Sequence, residues 1–403
     1  MEPARVQLPQ GVHDLGPDEA GLRRELADLW SWLFDRWGYR EVVPPTFEYY
    51  STLASGFAGR KAERLFRFFD RQGRILALRP DFTTPIARLA ATKLADEPRP
   101  LRLWYLGSVF RVNEARHGHR SEFTQAGVEL IGAAGPAADA EVVALAVTAL
   151  NRAGVEGAQV SLGHTGFLRA LLAGLELTPR EEEAVVTELT RRNLVGLRDV
   201  LNTLNLDRRQ FQALAELPQL FGGAEKLAAA SQLAGNNTEA EAALDDLATI
   251  GRLLEAYGLG ECVYFDLGLV RELDYYTGMV FEVYVPGFGY PLGGGGRYDG
   301  LTARFGLPGP ATGFALGLER VLTVRERQGK IEGPKPPDVL VVALPGFEAA
   351  SVREALRRRE GGRVELAAGA MDEKEAVAYA RARGIPCIVL VGSEMREIEV
   401  EVN

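Results

Sequence analysis

Apolar positions recur along this chain with two different periods, and the changes of period mark out its elements. Over residues 17–37, Leu22, Leu26, Leu29, Trp30, Leu33, Phe34 and Trp37 return every three or four residues, which predicts an amphipathic helix with one face in a core. Pro17 suits its first turn and Gly38 its exit. Residues 39–43 read as a strand that runs into Pro44 and Pro45, a pairing suited to a strand end or a sheet edge. Stretches rich in Val, Leu, Phe and Tyr follow at 75–78, 101–110, 123–131, 262–267 and 279–285, and together predict a largely antiparallel sheet.

Between those strands, residues 137–153 and a long stretch from 166 to 257 are rich in Ala, Leu and Glu with helical spacing. The second reads as a helical insertion in the sheet domain. Residues 327–337 (RQGKIEGPKPP) are charged, Gly- and Pro-bearing and poor in apolar groups, so a linker is expected there. After it, 339–344, 351–359, 373–383, 388–391 and 398–402 alternate strand and helix, which predicts a small α/β domain over 338–403. The whole reads as an α+β chain with a main domain over 1–326. A length of 403 residues agrees with two or three domains.

Composition narrows the function classes. With 46% hydrophobic and 25% charged residues the chain has the make-up of a soluble globular protein, and its net charge of −9 offers no global attraction to nucleic acid. The two cysteines, Cys262 and Cys387, stand far apart without CxxC or Cys/His spacing, so neither a disulfide framework nor a zinc site is expected. His13, His117, His119 and His164 show no metal-binding spacing either. The first residues lack the regions of a signal peptide and no apolar run approaches the roughly 20 residues of a membrane span, which makes a cytoplasmic protein the expectation.

The chemistry concentrates in FRVNEARHGHRSEFTQAGVELIG at 110–132 and GFALGLERV at 313–321. Guanidinium forks match phosphate oxygens and an aromatic face takes a purine, so Arg111 and Arg320 with Phe123 between them suit a nucleotide triphosphate. Gln125 and Glu129 lie four apart on one expected strand and project from the same face. The run Gly293 to Gly296 lacks the GxxxxGK[ST] pattern of a phosphate loop, leaving a close backbone approach beneath a ligand or a plain turn. The arginines of 353–363 read as a solvated helix face.

The order of these motifs resembles the class II aminoacyl-tRNA synthetase core: WGYREVVPP at 37–45 is similar to its dimer-forming motif 1, the segment from Phe110 to motif 2 and GFALGLERV to motif 3. VRELDYYTGMVFE at 270–282 and PLGGGGRYDGL at 291–301 narrow the resemblance to the histidyl-tRNA synthetase lineage. Within it, LRPDFTTPIAR at 78–88, QAGVELIG at 125–132 and GLPGPATGFALGLERV at 306–321 resemble the regulatory-subunit family of ATP phosphoribosyltransferase, where synthetases read RPEGT for the first.

The resemblance implies a class II synthetase-like antiparallel sheet flanked by helices and a histidine pocket. In that pocket Asp81 and Thr83 hold the α-amino group, Gln125 reaches the amino or carboxylate group, and Glu129 accepts an imidazole N–H. Arg271 is assigned to the carboxylate, Arg111 is counted among the histidine-binding residues, and one of Tyr275 and Tyr276, which face opposite ways if extended, offers a hydroxyl to the other ring nitrogen. Arg111, Phe123 and Arg320 are then a vestigial nucleotide site, with no resident cofactor or metal. The family also implies a homodimer within a hetero-oligomer containing the short-form catalytic subunit, feedback by histidine, and no catalysis by this chain.

Departures from the synthetase pattern favour that reading. Arg111 is followed by Val112 and Asn113 where motif 2 has Arg, any residue, Glu; the nearest acidic group is Glu114. Arg116, His117, Gly118, His119 and Arg120 replace a loop with arginines at the places of His119 and Ser121, and the C-terminal domain is short for anticodon recognition, so tRNA is not an expected partner. Arg271 stands where the synthetase keeps its activating arginine, and an active histidine–tRNA ligase is the alternative.

Overall fold

Pro17–Arg36 forms the first long helix and stops at Trp37, with Gly38 turning out at φ 81°. Leu26, Trp30, Leu33 and Phe34 are its buried face, and burial of side chains of this size contributes about 1.5–3 kcal/mol each. The Trp30 indole Nε1–H donates to Ala149 O at 2.9 Å, which fixes this helix against the buried helix Pro136–Arg152. The computed structural model describes residues 7–56, 65–112, 120–270, 275–331 and 335–402. It divides into two compact units, Met1–Ile331 and Glu332–Asn403.

Among the described residues of the first unit, nine strands form one mixed sheet. Its order is Arg40–Glu41, Leu101–Phe110, Glu122–Ile131, Ala311–Gly317, Gly293–Arg297, Met279–Tyr284, Gln159–His164, Val263–Asp266 and Phe221–Gly222. Six neighbouring pairs are antiparallel, and the two exceptions join Arg40 to Leu103 and Val160 to Val263 in parallel register. The expected strand at 39–43 shrinks to two residues ahead of Pro44 and Pro45.

One expectation needs correction. Ile75–Leu78 is a strand but not part of this sheet; it is the middle of a separate three-stranded sheet, between Phe47–Tyr49 and Arg67–Phe69. Apolar alternation specifies a strand and leaves its partner open. The strands Gly293–Arg297 and Ala311–Gly317 were not predicted, because glycine and small residues carry no period-2 signal.

From Thr165 to Ala256 the chain runs through six α-helices, several with side-chain caps: Thr178 with Glu181 and Asp207 with Gln210 form capping boxes. This stretch is not wholly helical, since Phe221–Gly222 returns to pair with Phe265 and Asp266 at the sheet edge.

In the second unit, strands are ordered Val364–Leu366, Val339–Ala343, Cys387–Val391, Met395–Glu399, with the last antiparallel and the others parallel. Helices Glu348–Arg359 and Glu373–Arg383 accompany them. The final strand lies three residues earlier than the expected 398–402, and its pairing with Cys387–Val391 sets that position. Glu354 accepts from both Arg357 and Arg358, whose guanidiniums hold its carboxylate down at about 2.

Candidate functional site

A cavity of about 590 Å³ opens over the middle of the nine-stranded sheet. That lies within the range typical of small-molecule sites. The Glu122–Ile131 strand supplies Phe123, Gln125 and Glu129, brought to one face by the two-residue period of a strand. Its floor is made of glycine. A Cβ on Gly313 would stand 2.0 Å from Glu129 Oε2, and one on Gly295 would stand 1.9 Å from Gly313 O. Of the two roles open for the glycine run, close backbone approach is the one found: the run is a strand, and Gly293, Gly294 and Gly295 line the cavity.

Asp81 and Thr83 enter from the start of the helix Thr83–Ala91, where Asp81 Oδ1 accepts from Thr84 N at 3.3 Å. That corner is well anchored. Arg79 is buried and donates to Ser108 O and Pro44 O, both at 2.8 Å, while Arg88 grips Glu48 through two bonds of 2.7 and 2.8 Å. On the opposite wall, Tyr275 and Tyr276 are not splayed as an extended chain would splay them. Both rings line the cavity, in edge-to-face contact at 4.8 Å, and Tyr275 stacks on Tyr298 at 5.5 Å. They precede the strand that begins at Met279, so strand alternation does not apply to them.

Tyr298, which the sequence reading left out, directly follows the glycine run and Arg297, and its hydroxyl donates to Glu129 Oε2. Glu129 Oε1 and Gln125 Oε1 are buried without a hydrogen-bond partner. Burial pushes the Glu129 carboxyl up to about 8; the hydrogen bond from Tyr298 and the nearby Thr83 hydroxyl oppose that rise and the nearby Asp81 adds to it. Burial first, and then the Glu129 charge, hold the Tyr105, Tyr275 and Tyr298 phenols well above the ordinary tyrosine range. The site therefore presents neutral phenols, the Gln125 acceptor oxygen and a Glu129 carboxyl with a proton to share, which suits a ligand with an N–H donor and a basic ring nitrogen.

The remaining candidates reach the cavity's outer end. Arg111 sits just past the strand Leu101–Phe110, not within it; its Nε donates to Pro80 O at 2.8 Å and its guanidinium lies 5.2 Å from the Phe123 ring centre. Arg320, on the helix Leu318–Arg327, donates to Pro291 O at 2.6 Å and lies 5.9 Å from the ring of Tyr290, a second residue the sequence reading missed. The neighbouring Glu319 carboxylate accepts Thr124 N at 2.9 and 3.1 Å, tying this helix to the end of the central strand. Thus Asp81, Thr83, Arg111, Phe123, Gln125, Glu129, Tyr275, Tyr276 and Arg320 all line one cavity. Arg271, and the loop residues Asn113, Glu114, Arg116, His117, Gly118 and His119, lie outside the described residues.

The same architecture recurs in known proteins. A family model described as histidyl-tRNA synthetase matches residues 11–321. The ATP phosphoribosyltransferase regulatory subunit of Moorella thermoacetica is 44% identical over 380 residues, covering 94% of this chain and 97% of that one. Its namesake from Symbiobacterium thermophilum is 45% identical over 392 residues, covering 96% and 97%. The chain belongs to the ATP phosphoribosyltransferase regulatory subunit family.

Among solved structures, one described as an ATP phosphoribosyltransferase regulatory subunit/histidyl-tRNA synthetase from Bacillus halodurans C matches with a TM-score of 0.87 and 33% identity, covering 98% of this chain and 100% of that one. The histidyl-tRNA synthetase of Nostoc sp. PCC 7120 matches at a TM-score of 0.81 with 20% identity, over 98% and 97% of the two chains, a likeness of fold. Membership of this family makes the chain a regulatory subunit by kind and, through the transferase it is named for, ties it to histidine biosynthesis. Among the described residues no helix is long and apolar enough to cross a membrane, and no group of three His, Cys, Asp or Glu side chains is placed to hold a metal ion.

Proposed function

We propose that this chain is the histidine-sensing subunit of an ATP phosphoribosyltransferase: it binds histidine over Glu129, pairs with a second copy of itself, and assembles with the short-form catalytic subunit to impose feedback inhibition. The observation that carries the reading is the pair of buried, unpartnered oxygens, Gln125 Oε1 and Glu129 Oε1, facing a cavity ringed by Thr83, Tyr275 and Tyr298. An imidazole N–H on Glu129 and a ligand ammonium shared among Asp81, Thr83 and Gln125 satisfy those groups, and charge-assisted bonds of this kind contribute about 1.5–3 kcal/mol each. Arg111, with Arg271, is assigned to the ligand carboxylate. The self-pairing has a candidate surface in the small three-stranded sheet, where Phe47 and Phe69 are 51% and 71% exposed, four residues and more beyond the 78% exposed Val43.

The test is calorimetric titration with L-histidine, followed by phosphoribosyltransferase assays on mixtures with the short catalytic subunit. Glu129→Ala is expected to lose histidine binding and histidine inhibition while still activating the catalytic subunit. Inhibition by histidine that survives in this variant removes Glu129 from the sensor.

A second reading, histidine–tRNA ligase, has its own support: Arg111, Phe123 and Arg320 share the cavity with the proposed histidine groups. Histidine-dependent ATP–pyrophosphate exchange by the purified chain decides between them. The regulatory reading requires none.

A further inference from the structure

The helical insertion grips the stretches that flank and carry the cavity tyrosines. On the leading side, Asp266 is fully buried and its Oδ2 accepts from Arg192 Nη2 at 2.5 Å, with Oδ1 left unpartnered. The adjacent Leu267 N donates to Leu220 O at 3.1 Å, and Phe221 pairs with Asp266. Arg192, Leu220 and Phe221 all belong to the insertion. On the trailing side, Thr165, the first residue of the insertion's first helix, is 1% exposed. Its N–H donates to Gly278 O at 2.9 Å, and its hydroxyl lies 2.9 Å from that oxygen and 3.4 Å from Tyr276 O.

These anchors reach further into the insertion. His164 Nδ1 accepts from Gly166 N at 3.1 Å, so Nε2 carries the ring proton, and Nε2 faces Asp246 Oδ2 at 3.7 Å on the insertion's last helix, Thr238–Ala256. Arg192 sits at φ 53°, a left-handed conformation that a non-glycine residue keeps when its surroundings hold it there. The Thr165 anchor is buried, and the Arg192 anchor runs from a half-exposed guanidinium to a fully buried carboxylate, so each fixes one polar group of the insertion against the cavity-bearing stretch.

We propose that the insertion is a clamp on the ligand-bearing stretch, with Thr165 and Arg192 as positioning residues. They set where the rings of Tyr275 and Tyr276 stand in the cavity, and by reciprocity a ligand that fixes those rings tightens the insertion. The inference rests on the histidine reading of the cavity.

The experiment titrates the full chain with L-histidine as wild type, Thr165→Ser, Thr165→Val and Arg192→Gly, with thermal unfolding of each and hydrogen–deuterium exchange of the wild type with and without histidine. Thr165→Val keeps the shape and loses the hydroxyl; it is expected to weaken histidine binding about tenfold, the scale of one buried hydrogen bond, while Thr165→Ser stays within about threefold of wild type. Arg192→Gly relieves the left-handed backbone and removes the guanidinium, and is expected to weaken binding without a matching gain in stability. Histidine is expected to slow exchange in Thr165–Ala173 and Leu194–Thr203. A wild type that does not bind histidine withdraws the function reading itself. Wild-type binding with no added protection in the insertion overturns the clamp, even where a variant fails to fold, and so does unchanged affinity in a folded Thr165→Val.

Discussion

Glu129 is a carboxyl group that the fold keeps protonated at neutral pH, and this has consequences that a single residue can report. Its value of about 8 in the folded chain lies above the ordinary 4.5, so between those limits the native state holds a proton that the unfolded chain has released. Stability contributed by this group is therefore present below pH 4.5 and is lost as pH rises toward 8, by about 5 kcal/mol in total at about 1.4 kcal/mol per pH unit. Urea unfolding at pH 5.5, 7 and 8.5 is expected to show this loss in the wild type. Glu129→Gln, which keeps an acceptor for the Tyr298 hydroxyl and does not titrate, is expected to flatten it. Histidine binding should respond differently. If the bound pair shares one proton between carboxylate and imidazole, binding releases a proton below about pH 6.5, where both partners are protonated, and takes one up above about pH 8, where neither is. Affinity is then expected to plateau between those values and to fall about tenfold per unit on either side. Calorimetry across pH 5.5–9 checks the shape, and the alkaline fall should vanish in Glu129→Gln.

At the scale of elements, the floor of the cavity is held by absent side chains. A Cβ on Gly313 meets Glu129 Oε2 at 2.0 Å and Val128 O at 2.5 Å, while one on Gly295 meets only backbone, Gly313 O at 1.9 Å. A carboxyl side chain can turn aside and a sheet backbone cannot, so Gly313→Ala is expected to abolish histidine binding with about 1–3 kcal/mol lost in stability, and Gly295→Ala to cost more. Denaturant unfolding beside histidine titration separates the two effects. The far end of the same glycine strand is pinned by Arg297, whose Nε and Nη2 meet Asp139 at 3.0 and 2.9 Å with both side chains buried. Removing Asp139 takes away the buried partner of Arg297 and leaves it only the more exposed Asp299 at 3.2 Å, so Asp139→Ala is expected to cost about 3 kcal/mol by urea unfolding. These glycine-built parts were the least legible in the sequence. Leu101–Phe110 was readable to the residue because large apolar side chains fill all of it but Arg102, Gly107 and Ser108, whereas the four glycines of Gly293–Arg297 offer no side chains for any period to show. The lining of the cavity was readable through motif order, which named residues from Asp81 to Arg320 that meet there, Arg271 lying outside the described residues. What escaped was geometry: Tyr298 as the partner of Glu129, Tyr290 beside Arg320, and two tyrosines brought to one face by irregular backbone.

For the whole molecule, the question is how occupancy of a cavity within one subunit changes chemistry in another. A ligand moves an equilibrium only by its difference in affinity for the two states, and the coupling is reciprocal for binding. If histidine favours an inhibited arrangement of the complex by a factor of about 5–150, the usual range for such coupling, then locking the complex in its active arrangement must weaken histidine by the same factor. Calorimetric titration of histidine into the assembled complex, with and without saturating substrates of the transferase, is expected to show that loss, whereas the isolated chain should show none on adding the same substrates. Glu129→Ala adds a control at this scale, because Glu129 lies buried inside the first unit and its replacement leaves the exposed surfaces intact. Sedimentation of the variant with the catalytic subunit is expected to match wild type while inhibition is lost. Equal histidine affinities in all states of the complex would leave inhibition without a thermodynamic source in this cavity and would move the sensor to the catalytic chain.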